Sequence, residues 1–156
     1  MKTKQIKTTT KPGPWATVSE SQVKQVQDAV EGITGIAVEY KYNTDAKDEV
    51  PVDELIDAFA ELAGFAYVSL LLLKSTRSKR IEKCKPGPLA HITRAKANYL
   101  RKLFEKVQEL AVDGLNWAKD KQKIRPNDFF GHFSMIKKYG MELEGFFESG
   151  NEDEAA

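Results

Sequence analysis

Residues 11–69 read as a copy of residues 85–143, in step at an offset of 74 with no gap. Lys11-Pro12-Gly13-Pro14 returns as Lys85-Pro86-Gly87-Pro88, and Ala37-Val38-Glu39 as Ala111-Val112-Asp113. Val50 falls on Ile124, Asp53 on Asn127, Leu55-Ile56 on Phe129-Phe130, and Phe59 on Phe133. Ten of the 59 aligned pairs are identical, and the substitutions between the others largely keep size and polarity. A tandem duplication constrains the fold more than any motif, because a repeated unit too small to bury its apolar face alone must bury it against its copy. A chain as short as one half buries only about 60% of its unfolded surface. The two halves are therefore expected to share one core.

Each half opens with a long helix. From Ser19, the residues Val23, Val26, Val30, Ile33, Ala37 and Tyr40 recur at spacings of 3, 4, 3, 4 and 3, the stripe of an amphipathic helix. Ser19 and Gln22 form a capping-box pattern at its start. The offset carries the stripe to Ala97, Leu100, Phe104, Val107, Ala111 and Gly114, widened by Leu103, Leu110, Leu115 and Trp117. Both helices are expected to run about 27 residues, or roughly 40 Å at 1.5 Å per residue. Gly32 and Gly35 weaken the first by up to ~1 kcal/mol each, which points to a close helix crossing.

A second helix follows in each half. Pro51 and Pro126 hold the preceding residues extended, so Val50 and Ile124 are expected in matching strand-like links. Asp53 and Asn127 are the expected N-caps of helices running to Leu73 and Phe147. The run Leu62 to Leu73 is about a dozen apolar residues, shorter than the ~18 to 20 of a spanning helix, and reads as a buried helix with no membrane partner. The chain thus divides into a basic arm (1–10), a first helical repeat (11–84), a second (85–147) and an acidic tail (148–156). The Lys/Thr-rich arm has no apolar stretch of a signal peptide, and the single cysteine, Cys84, forms no internal disulfide framework and suits a reducing compartment.

The order of a long helix, a short extended loop and a helix opening on Asn or Asp resembles part of a known family. The residues that carry the likeness are Tyr99-Leu100 to Glu105, Glu109-Leu110-Ala111, and Ala118 through Lys123-Ile124-Arg125-Pro126-Asn127-Asp128-Phe129. They look like the middle helix, second loop and last helix of a histone fold, over about 45 residues per half. Val50-Pro51-Val52-Asp53-Glu54-Leu55 is similar in outline. The resemblance implies an all-α protein in which the duplicated helix–loop–helix unit packs as one histone-fold-like pseudo-dimer, with Val50 beside Ile124. Two departures stand out: the first half has no short helix before the long one, whereas Leu70 to Lys83 could supply it in the second. By the same resemblance, phosphate contact would fall on the paired loops and helix N-termini. Lys121, Lys123 and Arg125 match such a basic loop, but Asp45, Asp48 and Glu49 in the first half would repel phosphate.

The net charge of +1 hides uneven blocks: Glu20 to Glu61 sums to −8, Lys74 to Lys102 to +9, and the tail from Glu142 to −6. Arg77, Lys79 and Arg80, with Arg94, Lys96, Arg101 and Lys102 opening the second long helix, are candidates to line one edge, since such a block is a field that steers a partner. The acidic tail is either a competitor for that edge or a disordered solubilising end. His91 and His132 are not repeat-equivalent and have no partner at metal spacing. No phosphate loop, nucleophile motif or acidic dyad is present, so neither catalysis nor a cofactor is expected. Phe129, Phe130, Phe133, Phe146 and Phe147 fit core packing better than base stacking. The expectation is a non-enzymatic DNA-binding, nucleoid-architectural protein of the cytoplasm or nucleoid, or of the nucleus in a eukaryote. The rival is a helical scaffold or accessory subunit that docks protein partners without nucleic acid, and self-association fits either.

Overall fold

The computed structural model describes residues 13–42, 49–74 and 87–155, and these form four helices with no strand beyond a single bridge. Helix α1 spans Glu20–Tyr42, α2 Val52–Leu72, α3 Arg94–Lys119 and α4 Pro126–Ala155. The basic arm, Cys84, and the candidate residues Arg77, Lys79 and Arg80 lie outside the described residues, as do Asp45, Asp48 and most of the segment Leu70 to Lys83.

Local chemistry sets the helix starts. The Ser19 hydroxyl accepts from the Gln22 backbone N–H at 3.1 Å while Gln22 Oε1 accepts from the Ser19 N–H at 2.8 Å, a closed capping box. Thr93, the repeat equivalent of Ser19, accepts from the Lys96 N–H at 3.1 Å. The expected caps Asp53 and Asn127 are corrected: α2 and α4 begin one residue earlier, which puts both inside the first turn. Proline accounts for the shift. Pro51, at φ −57° and with no side-chain cap bond, leads the chain directly into the helix, and Pro126 occupies a first helical position where its missing N–H costs nothing. Asp128 then caps α4, accepting from the Arg125 N–H at 3.1 Å.

Each helix borders two others. α1 packs on α2 and α4, and α3 packs on α2 and α4, whereas α1 and α3 barely touch, nor do the backbones of α2 and α4. The ring closes around two core layers. One is built on Ile33, Ala37, Phe59, Leu62, Val107, Phe129, Phe133 and Ile136; the other on Val26, Val30, Leu100, Phe104, Leu143 and Phe147. All four helices run from one layer to the other, and consecutive helices run in opposite directions. Contacts between the halves, α2 on α3 and α1 on α4, are more extensive than those within them. Both stripes are buried from Val23 to Tyr40 and from Ala97 to Gly114, whereas Leu110, Leu115 and Trp117, which widen the second, are half-buried.

Residues related by the 74-residue offset meet one another across the bundle. The Val50 N–H donates to the Ile124 carbonyl at 2.9 Å in an antiparallel bridge, so two repeat-equivalent residues meet each other. The same holds for Phe59 and Phe133, whose rings stack at 4.8 Å between centroids. At the far end the two Gly-Pro turns bond reciprocally, the Gly13 N–H to Ala90 O at 2.6 Å and the Gly87 N–H to Ala16 O at 2.5 Å. Trp15 and its equivalent Leu89, each 2% exposed, close that layer. Symmetry is broken at Tyr40, which stacks on Phe133 at 5.1 Å and donates its hydroxyl to Glu54 Oε2 at 2.8 Å. Its equivalent is Gly114, where a Cβ would collide with the ring of Phe59.

Further expectations change. α3 has 26 residues, close to the expected length, but α1 has only 23, and α4 continues through the acidic tail to Ala155 without a separate end at Phe147. Of the two α1 glycines only Gly32 serves a close crossing, since a Cβ there would strike Phe65 while one at Gly35 meets nothing within 4 Å. The apolar run of α2 is only partly a buried helix: Leu62, Ala66, Ser69 and Leu73 are buried, but Tyr67, Val68 and Leu71 are exposed, because a helix with two neighbours is covered on one side only.

Candidate nucleic-acid interface

The described candidate cations fall into two groups at opposite ends of α3. Arg94 and Lys96 stand in its first turn, whereas Lys121, Lys123 and Arg125 follow its last. A 26-residue helix separates them by roughly 38 Å at 1.5 Å per residue. They do not form one continuous edge.

The loop group is largely compensated. Lys123 Nζ lies 3.8 Å from Glu49 Oε2, an ion pair made possible by the Val50–Ile124 bridge that lays the acidic link of the first half against the basic link of the second. Lys121 Nζ sits 5.4 Å above the Trp117 ring centroid. Asp120 and Asp128 flank the loop, and Arg125 is exposed beside Asp128, whose carboxylate is engaged at the Arg125 backbone N–H. Opposite charges this close cancel much of the field a polyanion would feel.

The opening turns of α3 are different. Arg94, Arg101, Lys102 and Lys106 are exposed on the outer side of the helix, and none is in an ion pair with another described residue. Their axial spread is roughly 18 Å at 1.5 Å per residue, about five base-pair steps at 3.4 Å each. Glu105 is the only carboxylate among these positions. Lys96 turns inward, its ammonium 5.8 Å from the Tyr99 ring and 5.5 Å from that of Phe146. Tyr99 in turn donates to Glu142 on α4. Lys106 escapes the sequence reading because its repeat equivalent is the packing glycine Gly32; only the ring order of the helices puts it outside.

The opposite side of the ring is acidic. The positions on α1 equivalent to Arg94, Lys102 and Glu105 hold Glu20, Asp28 and Glu31, all exposed. Burial raises the Glu144 carboxyl above its ordinary range, with Glu148 and Glu31 adding to the effect, so carboxylates crowd the α1–α4 edge. Since α1 and α3 lie on opposite corners, the molecule carries negative charge on one side and positive charge on the other.

Among the aromatic candidates, Phe129, Phe133, Phe146 and Phe147 are buried, and Phe130 is 45% exposed with Lys41 Nζ 5.7 Å from its centroid. His132 lies between Phe59 and Trp117, and His91 is exposed. Among the described residues no group of three or more His, Cys, Asp or Glu side chains is placed to hold a metal. No protein-family model, curated protein or solved structure matches the chain.

Proposed function

We propose that the protein is a non-enzymatic binder of duplex DNA that holds phosphates on the outer face of α3. The observation that carries this reading is the unpaired set Arg94, Arg101, Lys102 and Lys106 on one exposed helix face, with the acidic face turned away on α1. Cations on one rigid helix follow a backbone without reading bases, so binding is expected to be indifferent to sequence. The histone-type pairing belongs to the same proposal. It draws support from the side-by-side Val50 and Ile124 and from the shared core, while the DNA reading stands on the α3 face alone. The loop cations Lys121, Lys123 and Arg125 are secondary in this reading, because Glu49 and Trp117 already engage two of them.

The test is equilibrium binding of a random-sequence duplex across a salt series. Each neutralised phosphate contributes a slope of about −0.9 in log affinity against log salt. Arg101→Ala, Lys102→Ala and Lys106→Ala combined should flatten that slope by up to about three units, weakening all sequences alike. Lys121→Ala with Lys123→Ala should change it by less. A protein-docking scaffold is the reading favoured instead if the intact chain binds no duplex at low salt, since the acidic side of α1 offers a partner a field of the opposite sign.

A further inference from the structure

The outward face of α2 carries a pattern the four-helix ring does not use. Asp57, Ala60, Gly64, Tyr67 and Leu71 recur at spacings of 3, 4, 3 and 4, and all five are exposed, as is Lys74 just past the end of the helix. This is the heptad seam of a helix that packs lengthwise on another helix. Tyr67 and Leu71 are 53% and 45% exposed, and Val68 beside them 44%. The bundle itself does not require apolar residues here. The equivalent outward positions of α4 hold Lys138, Glu142 and Gly145, with Met141 as the exposed apolar side chain in place of Tyr67. Among the described residues nothing covers the stripe, and residues 1–12, 43–48 and 75–86 contain only Met1, Ile6, Ala46, Ile81 and Cys84 as apolar residues besides proline.

We propose that this face is the interface of a twofold dimer, formed by α2 packing antiparallel on α2 of a second copy. The stripe is complementary to itself when reversed. In the register that sets Gly64 opposite Tyr67, Ala60 falls opposite Leu71 and Asp57 opposite Lys74. Each large side chain meets a small one, and Asp57 comes to the end of the partner helix, where Lys74 follows the C-cap Leu73 with the opposite charge. A Cβ at Gly64 would meet nothing within 4 Å in the single chain, so the space it leaves open is available to the Tyr67 ring of the partner. Such an isologous contact needs only one patch, with residue and partner exchanging roles across the axis. The helical seam from Asp57 to Leu71 is about 21 Å long at 1.5 Å per residue, short of the area of permanent dimers, so the association is expected to be reversible and concentration-dependent.

Sedimentation equilibrium from micromolar to near-millimolar concentration tests it. The intact chain should shift from monomer to dimer and no further. Gly64→Gln should raise the dissociation constant at least about tenfold, a change of 1.4 kcal/mol, while far-UV circular dichroism is unchanged and the unfolding midpoint is equal or higher, because a glycine leaves the middle of an exposed helix face. Asp57→Lys should weaken association, and Asp57→Lys combined with Lys74→Asp should restore it. A chain that stays monomeric throughout, or whose dimerisation is indifferent to Gly64→Gln, overturns the proposal. So does a monomer that binds neutral phosphatidylcholine vesicles through this helix, which by length and composition is long and apolar enough to cross a membrane.

Discussion

Phe133→Ala should lower stability by about 3–5 kcal/mol, the range for removing a buried aromatic ring with partial collapse of the cavity. That is a large part of the ~5–15 kcal/mol available to a domain. The site gives little room to relax. Phe133 is fully buried, stacks on Phe59 at 4.8 Å and Tyr40 at 5.1 Å, and meets Phe129 edge-on at 5.5 Å. These neighbours come from α1, α2 and α4, so the loss is felt in both halves at once. Phe59→Ala should fall in the same range, and the double variant should cost less than the sum, because the two rings share one contact. Denaturant melts of the three variants would check the magnitudes. A loss below about 1 kcal/mol for Phe133→Ala would mean that this ring pair does not hold the core.

The second large effect is expected at the loops. A Cβ on Gly13 would run into the backbone carbonyl of Ile92, and one on Gly87 into that of Val18. Unlike a side-chain tip, a backbone carbonyl cannot swing aside. Gly13→Ala and Gly87→Ala should therefore each cost about 1–3 kcal/mol through forced backbone displacement, with the reciprocal loop bonds to Ala90 and Ala16 stretched or lost. Gly35→Ala, at a site with open space, should by contrast stabilise by about 0.5–1 kcal/mol. Unfolding midpoints of the three variants distinguish a steric role for the loop glycines from mere loop flexibility: equal effects at all three would remove the steric argument.

The long helices and their buried stripes were legible because a 3, 4, 3, 4, 3 spacing of apolar residues depends only on helix geometry. The meeting of Val50 with Ile124 was legible for a related reason, since a duplicated unit that shares one core brings equivalent residues together. The N-caps were not. Asp53 and Asn127 have the right chemistry, but Pro51, two residues before the one, and Pro126, one before the other, preset the backbone, and proline geometry prevails over a cap hydrogen bond. Nor was the exposure of Tyr67, Val68 and Leu71 readable from the sequence, because a run of apolar residues looks the same whether one or both sides of the helix are covered. The cations divide likewise. Arg101 and Lys102 belonged to a visible basic block, yet only the ring order of the helices separates them from Lys121 and Lys123 by the length of α3.

The account rests most heavily on the two repeats forming a single cooperative unit, and the two tryptophans report on it from different halves and different layers. Trp15 is buried in the layer closed by the turns at Gly13 and Gly87, and Trp117 packs on the other layer near the Val50–Ile124 bridge. Trp117→Phe leaves Trp15 as the sole reporter, and Trp15→Phe leaves Trp117. In each variant, fluorescence and far-UV circular dichroism followed through one denaturant titration should give coincident transitions. Fluorescence of either tryptophan changing at a denaturant concentration clearly below or above the loss of helix would show that the halves unfold separately and contradict the shared core.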